Sequence, residues 1–215
     1  VDAYEIQVYD GSSDDPGHAG VELHTNRDTT TRETHLTLEP SYGITRGWEV
    51  GAYLQTAFLS DGTFAWSGQK LRSKHVLRFD QDRVRVGVNL EVSFAPVRVE
   101  PDRWGGEMRP ILAYEDDDVL LAFNPIIGAS SDGPTFEPAG AAKVKIVRTI
   151  ALGLEYYASF GPIPKPATWH EQEHYVFETI DLLAVSWLEL EFGLGQGVSP
   201  NSHPLIGKMI AGVSF

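Results

Sequence analysis

Apolar residues recur along this chain with a period of two. From Val84 to Phe94, Val84, Val86, Val88, Leu90, Val92 and Phe94 alternate with Arg85, Gly87, Asn89, Glu91 and Ser93. Strict alternation puts one kind of side chain on each face of a strand, a pattern that no helix produces. Leu188, Leu190, Phe192 and Leu194 alternate in the same way with Glu189, Glu191 and Gly193. So do Met209, Ala211, Val213 and Phe215 with Lys208, Gly212 and Ser214, although Ile210 interrupts that polar face. No segment carries a convincing amphipathic helical pattern.

Twelve such segments are predicted, at 19–27, 35–45, 48–59, 68–79, 83–95, 105–115, 118–129, 136–147, 149–161, 171–183, 186–197 and 204–215. Their connections alternate in length. Tight turns fall at Thr45-Arg46-Gly47, Gln81-Asp82, Asp116-Asp117, Val147-Arg148 and Val185-Ser186. Longer connections fall near 28–34, 60–67, 96–104, 130–135, 162–170 and 198–203. An even strand count with one trimmed and one elaborated end predicts an all-β fold. Its form is a transmembrane antiparallel up-and-down β-barrel with short periplasmic turns and longer extracellular loops. A soluble two-sheet sandwich would need longer Greek-key crossovers.

In a membrane barrel the apolar face meets lipid and the polar face lines the lumen. The residues predicted to line it are Glu22, His24, Glu39, Glu49, Arg72, Lys74, Arg78, Arg85, Glu91, Arg109, Glu137, Lys143, Lys145, Glu155, Glu178, Glu189, Glu191 and Lys208. Acidic and basic members nearly balance. Arg72, Lys74, Arg78 and Arg85 read as one basic stripe, and Glu155, Glu178, Glu189 and Glu191 as an acidic patch on later strands. Opposed charges of this kind either brace the barrel by pairing or set the selectivity of a narrow pore. In a pore, a small zwitterionic or anionic solute would suit that field. Aromatic residues sort toward the two rims. Tyr42, Trp48, Phe79, Tyr114, Trp187 and Phe215 fall near the tight turns, and Phe58, Phe94, Phe136 and Phe160 toward the longer loops. Two such belts match the interfacial girdles of a membrane barrel.

The net charge is −13 over 215 residues, from 17 Lys plus Arg against 30 Asp plus Glu. That sign, without a basic patch, argues against a nucleic-acid partner. Cysteine is absent, which excludes disulfides, thiolate zinc sites and a cysteine nucleophile. No apolar run is long enough for a transmembrane helix. The opening Val1-Asp2-Ala3-Tyr4 reads as a fragment or as a mature product after signal removal. Much of the charge sits in two places, Asp2 to Asp15 and the turn Glu115-Asp116-Asp117-Asp118.

Residues 1–18 form a separate acidic piece before the barrel of residues 19–215. Tyr4 to Tyr9 alternates too, but a thirteenth strand would break the even count. The segment is therefore expected inside or below the barrel as a plug. A disordered arm or an extension of the first strand are the alternatives. Asp10-Gly11-Ser12-Ser13-Asp14-Asp15 is acidic but lacks the ordered ligand spacing of a calcium loop. No metal site and no cofactor are predicted.

Enzymatic motifs are weak. Gly-x-Ser-x-Gly is absent. His170-Glu171-Gln172-Glu173-His174 places two histidines four apart, but in a loop entering a strand, where they would lie about 13 Å apart. His174 and Glu178 share a strand face. Ser67, Ser130, Ser131, Ser199 and Ser202 lie toward the same end as His35, His170, His174 and His203. The glycines of Gly193-Leu194-Gly195-Gln196-Gly197 are expected to relieve crowding in a curved sheet.

A terminal aromatic, Phe215, after an alternating strand resembles the signal by which Gram-negative outer-membrane barrels are recognised by the barrel-assembly machinery. Thr34 to Phe58, THLTLEPSYGITRGWEVGAYLQTAF, resembles segments of uncharacterised proteobacterial outer-membrane barrels grouped with the MetA-pathway phenol-degradation family. The carrying run is Pro-Ser-Tyr-Gly-Ile-Thr followed by Trp-Glu-Val-Gly. The resemblance implies a multi-pass protein of the outer membrane, in contact with its lipid and lipopolysaccharide. The expected function is passive passage of small polar or charged solutes. An outer-membrane hydrolase or deacylase acting on lipid, and a closed structural barrel, are the alternatives.

Overall fold

The computed structural model describes residues 2–96, 103–130, 133–185 and 187–215, except the side chain of Ser130. The middle of the expected 96–104 connection, Ser131 and Ser186 lie outside the described residues. The chain forms β1 (Ala19–Asp28), β2 (Thr34–Thr45), β3 (Trp48–Phe58), β4 (Phe64–Phe79), β5 (Val84–Phe94), β6 (Trp104–Glu115), β7 (Val119–Asn124), β8 (Ile127–Ser130), β9 (Gly133–Phe136), β10 (Ala139–Val147), β11 (Ile150–Ser159), β12 (Glu173–Val185), β13 (Leu188–Gly197) and β14 (Leu205–Ser214).

These segments make twelve antiparallel barrel strands, because two strands are each interrupted once. β7 pairs with the Leu112–Glu115 end of β6, and β8 with its Gly106–Met108 end. β10 pairs with β7, and β9 with β8, so they form one interrupted strand as well. Pro125 and Pro138 fall in the two interruptions. Proline has no N–H to give a ladder, so pairing breaks there. The ring closes where β1 meets β14, from Gly20 opposite Ser214 to Asp28 opposite Ile206. A closed ring leaves no unpaired sheet edge.

The predicted inversion of faces is present. Leu23, Leu38, Leu54, Leu71, Leu77 and Leu90 are exposed on the outside. Glu39, Glu49, Arg72, Glu91, Arg109 and Glu155 are buried inside. An apolar exterior of this extent is stable only against hydrocarbon. Tyr42, Trp48, Phe79, Tyr114, Trp187 and Phe215 are all exposed at the tight-turn end. At the loop end Phe58 is exposed as expected, joined by Phe64, Trp66 and Trp104, whereas Phe94, Phe136 and Phe160 are half-buried.

The turns follow their residues. Gly47 has φ +86°, and a Cβ there would stand 2.2 Å from the Val76 carbonyl oxygen. Only glycine fits. Asp80, Gln81 and Asp82 all have positive φ in the β4–β5 turn. Two connections depart from expectation. The one expected at 130–135 is largely strand, since β8 reaches Ser130 and β9 begins at Gly133 opposite it. Residues 60–67 are not a long loop: β4 begins at Phe64, directly opposite Phe58. The turn between them closes through the Leu59 N–H to the Thr63 carbonyl at 2.9 Å.

Candidate functional site

The lumen is occupied by the chain's own beginning. At the tight-turn end, Gly17 N–H donates to the Gly43 carbonyl at 2.8 Å. The Asp14 N–H donates to Glu49 at 2.6 Å, and Ser41 Oγ donates to Asp14 at 2.6 Å. Midway, the Tyr9 N–H donates to Asn124 Oδ1 at 2.7 Å, while Asn124 Nδ2 returns a bond to the Tyr9 carbonyl at 3.0 Å. Further up, the Ile6 carbonyl accepts from Lys208 at 3.2 Å, the Tyr4 carbonyl from Thr37 at 2.8 Å and the Ala3 carbonyl from Asn26 at 2.9 Å. The segment thus runs through the barrel without joining the sheet, and wall side chains satisfy the backbone groups a neighbouring strand would otherwise satisfy. Residues 2–16 therefore lie inside the barrel, hydrogen-bonded to side chains of its wall.

Apolar contacts anchor the upper half. Ile6 packs with Ile126, Tyr157, Tyr175, Phe177 and Ile206, and all are buried. A Cβ at Gly195 would stand 2.3 Å from the Phe177 ring. At Gly193 it would meet the Lys208 side chain at 2.8 Å. The glycines of β13 therefore make room for bulky side chains that point inward.

Around the segment, the charges pair. Glu5 lies 2.9 Å from Arg109 and 3.0 Å from Lys70, and Lys70 also meets Asp2 at 2.7 Å. Tyr9 and Tyr53 hydroxyls meet beside Glu5. Arg72 spans Glu39 and Glu49, each at 2.6 Å, and Lys74 meets Glu49 at 3.0 Å. On the far wall, Lys208 meets Glu155 and, at 2.5 Å, Glu191, while Lys143 meets Glu191 and, at 3.0 Å, Asp181. A buried ion pair gains little net stability but penalises any change that leaves one partner alone.

The predicted lining residues are brought together with one exception. Glu22, His24, Glu39, Glu49, Arg72, Lys74, Glu91, Arg109, Lys143, Glu155, Glu191 and Lys208 point inward on the wall. Arg78 and Arg85 face the segment near the tight turns, bonding Ser13 and Asp10. Lys145 sits beside Glu115, and Glu189 edges the cavity there. Glu137 lies near the other end, accepting from Thr135. Glu178 is the correction. Phe177 and Thr179 are buried inside, so the residue between them points outward and is exposed. Its register partners are Leu154 and Leu194, both exposed on the lipid face. The acidic patch therefore lacks Glu178, and Lys143 and Lys208 offset it. The basic stripe is likewise matched by Glu39 and Glu49.

Several lumen residues escaped the sequence reading. Lys70 shares the inward parity of Arg72 and Lys74, so alternation alone could have found it. Asp181 follows from Thr179 in the same way. Tyr53, Asn89 and Asn124 are fully or almost fully buried inside but carry no charge to draw attention.

A cavity of about 470 Å³ remains beside the segment toward the tight-turn end. Eight carboxylates and four Lys or Arg side chains line it among the described residues. Glu22 and Glu39 belong to its wall. Toward the loop end lies a small space of about 30 Å³, lined by Asp2, Glu5, Arg109 and Tyr157 among others.

The enzymatic alternative finds little support in the geometry. Both ring nitrogens of His174 are engaged, by Tyr156 at 2.6 Å and by Gln172 at 2.8 Å. Ser199 and Ser202 bond the His174 backbone rather than its ring. Asp10 and Asp14, the acids of the calcium-like sequence, accept from Ser12 and Ser41 and build local structure.

No family model matches this chain, and no curated relative does. The fold is that of outer-membrane barrels. A KdgM porin superposes with a TM-score of 0.66 at 10% identity, over 91% of this chain and 99% of that one. An outer membrane channel of the COG4313 group from Pseudomonas putida F1 gives 0.65 at 11%, over 98% of this chain and 100% of that one. A NanC porin gives 0.63 at 11%, over 91% and 98%.

Proposed function

We propose that this protein is a channel of the Gram-negative outer membrane, passing small polar or charged solutes passively, with residues 2–16 as its internal barrier. The carrying observation is a charge-lined lumen inside a lipid-facing barrel, filled by a segment that is non-covalently held. A closed scaffold would need no cavity of about 470 Å³ walled by acidic and basic side chains. The acidic excess in that cavity favours cations entering from the tight-turn end, and so revises the expected preference for anionic or zwitterionic solutes. Solved relatives in fold are porins, one of them in complex with disordered oligogalacturonate. The apolar band would meet outer-membrane lipid and lipopolysaccharide. Kinship with barrels grouped with the MetA-pathway family rests on Thr34–Phe58 and belongs to the same proposal.

The test is single-channel recording in planar bilayers, with the full chain and with a chain lacking residues 2–16. Stepwise conductance that rises on deletion, with reversal potentials on the cation side, is expected. Silence from both proteins, with folding verified by heat-modifiable gel mobility, would overturn the channel.

A further inference from the structure

Within the lumen wall, two carboxylates converge on one imidazole nitrogen. His24 Nε2 lies 3.3 Å from Glu22 Oε2 and 3.1 Å from Glu39 Oε2. All three ligand atoms fall within 4.8 Å of one another. A single N–H can serve one carboxylate well, not two. Four ligands held at about 2.0–2.1 Å from a zinc ion stand about 3.3 Å apart. The His24 distances already match that spacing.

We propose that Glu22, His24 and Glu39 form a divalent transition-metal site, with zinc as its natural test ion. One imidazole and two carboxylates supply the nitrogen and oxygen donors such ions take, whereas calcium or magnesium sites are built of oxygen alone. Arg72 holds the other Glu39 oxygen at 2.6 Å, fixing that carboxylate as an outer-shell partner fixes a ligand. Gln7 of the N-terminal segment reaches Glu22 Oε2 at 3.4 Å. Glu22 is 28% exposed and, with Glu39, walls the acidic cavity, giving an ion both a path and an attractive field. The fourth coordination position falls to water from that cavity. The spacing Glu22-x-His24 puts both donors on one strand face, and Glu39 is the register partner of Glu22 on β2.

The site does not depend on conduction, so binding is read directly. Full-length protein, folded in detergent and stripped with chelator, is titrated with zinc chloride by calorimetry. Cobalt absorbance serves as a second readout. One ion per chain is expected. Affinity should fall at least tenfold in His24→Gln and in Glu22→Gln, and stay unchanged in His170→Gln. If His24→Gln does not fold, Glu22→Gln at the exposed edge decides alone. Absence of binding, variants that bind as tightly as the parent, or loss in His170→Gln would each overturn the site.

Discussion

Glu5 of the N-terminal segment and Arg109 of β6 meet at 2.9 Å with both side chains withdrawn from solvent. Arg109 also donates to the Gln7 carbonyl at 3.3 Å, so one wall residue grips the segment by side chain and backbone together. Arg109→Ala leaves Glu5 its ion pair with Lys70 among the described residues. Breaking a buried pair from one side costs about 3–5 kcal/mol, and here the cost falls on docking of the segment. Limited proteolysis in detergent should cleave residues 2–16 far faster in Arg109→Ala than in the parent. Open-channel events should become more frequent. Protection equal to the parent's would show that Arg109 does not hold the segment.

Lys208 gives the matching prediction on the far wall. It lies between Glu155 and Glu191 and is completely withdrawn from solvent. Lys208→Met leaves Glu155 and Glu191 sharing Lys143 as their ion-pair partner among the described residues. A loss of about 3–5 kcal/mol is expected in urea unfolding from lipid vesicles. Adding Glu155→Gln to that variant should recover part of the loss, because it removes the uncompensated charge. If the double variant is no better than the single one, the loss comes from packing against Tyr157 and Phe177 instead.

The barrel was legible because its signal is repetitive. Alternation in Val84–Phe94 fixes both the strand and its two faces, and the same rule repeats around the ring. The breaks at Pro125 and Pro138 were not read, because alternation carries the expected strands 118–129 and 136–147 straight through both prolines, although neither residue can donate to a ladder. The extra turn of strand at Phe64–Ser67 was not legible, since Phe64 and Trp66 follow a Gly-Thr pair that reads as loop. The path of residues 2–16 was open for a physical reason. Alternation of Tyr4–Tyr9 shows an extended chain with two faces, but not which surroundings satisfy its backbone. Here the partners are Asn26, Thr37, Asn124 and Lys208, each on a different strand or far apart in the sequence. The metal cluster was hidden likewise, because Glu39 joins Glu22 and His24 only through the β1–β2 register.

In the turn between β6 and β7, Asp116 Oδ1 accepts the N–H groups of Asp118 at 2.9 Å and Val119 at 2.8 Å. Those bonds favour the ionised carboxylate and hold its pKa below the ordinary 3.8. A lowered folded-state pKa gives stability that is present above the unfolded value and lost as pH falls through the folded one. The turn should therefore stay closed at neutral pH and loosen only under strong acid. Carbon-13 NMR of the Asp116 carboxyl should titrate below 3.8, and Asp116→Asn should abolish the acid response of the Val119 amide. A midpoint at or above 3.8 would contradict the bonding.

Glu178 was expected in the lumen for its charge, but it shares the parity of Val176 and Ile180 and so points outward. It stands on the outer face of β12 between Val176 and Ile180, beside Leu154 and Leu194, all of them exposed to the membrane. Tyr156, opposite Val176, marks the start of the aromatic belt one lipid-facing position nearer the loops. A carboxylate just inside that belt can reach toward the headgroups, so its penalty is below that of a charge at mid-bilayer. Glu178→Leu should stabilise the barrel in vesicles by about 1 kcal/mol, read from the urea midpoint at an unchanged slope. Lumen properties should not change, since the side chain faces away from it. If Glu178→Leu instead destabilises the protein or changes its mass in mild detergent, the carboxylate meets a partner in the membrane plane, and the exposed face of β11–β13 is where that partner sits.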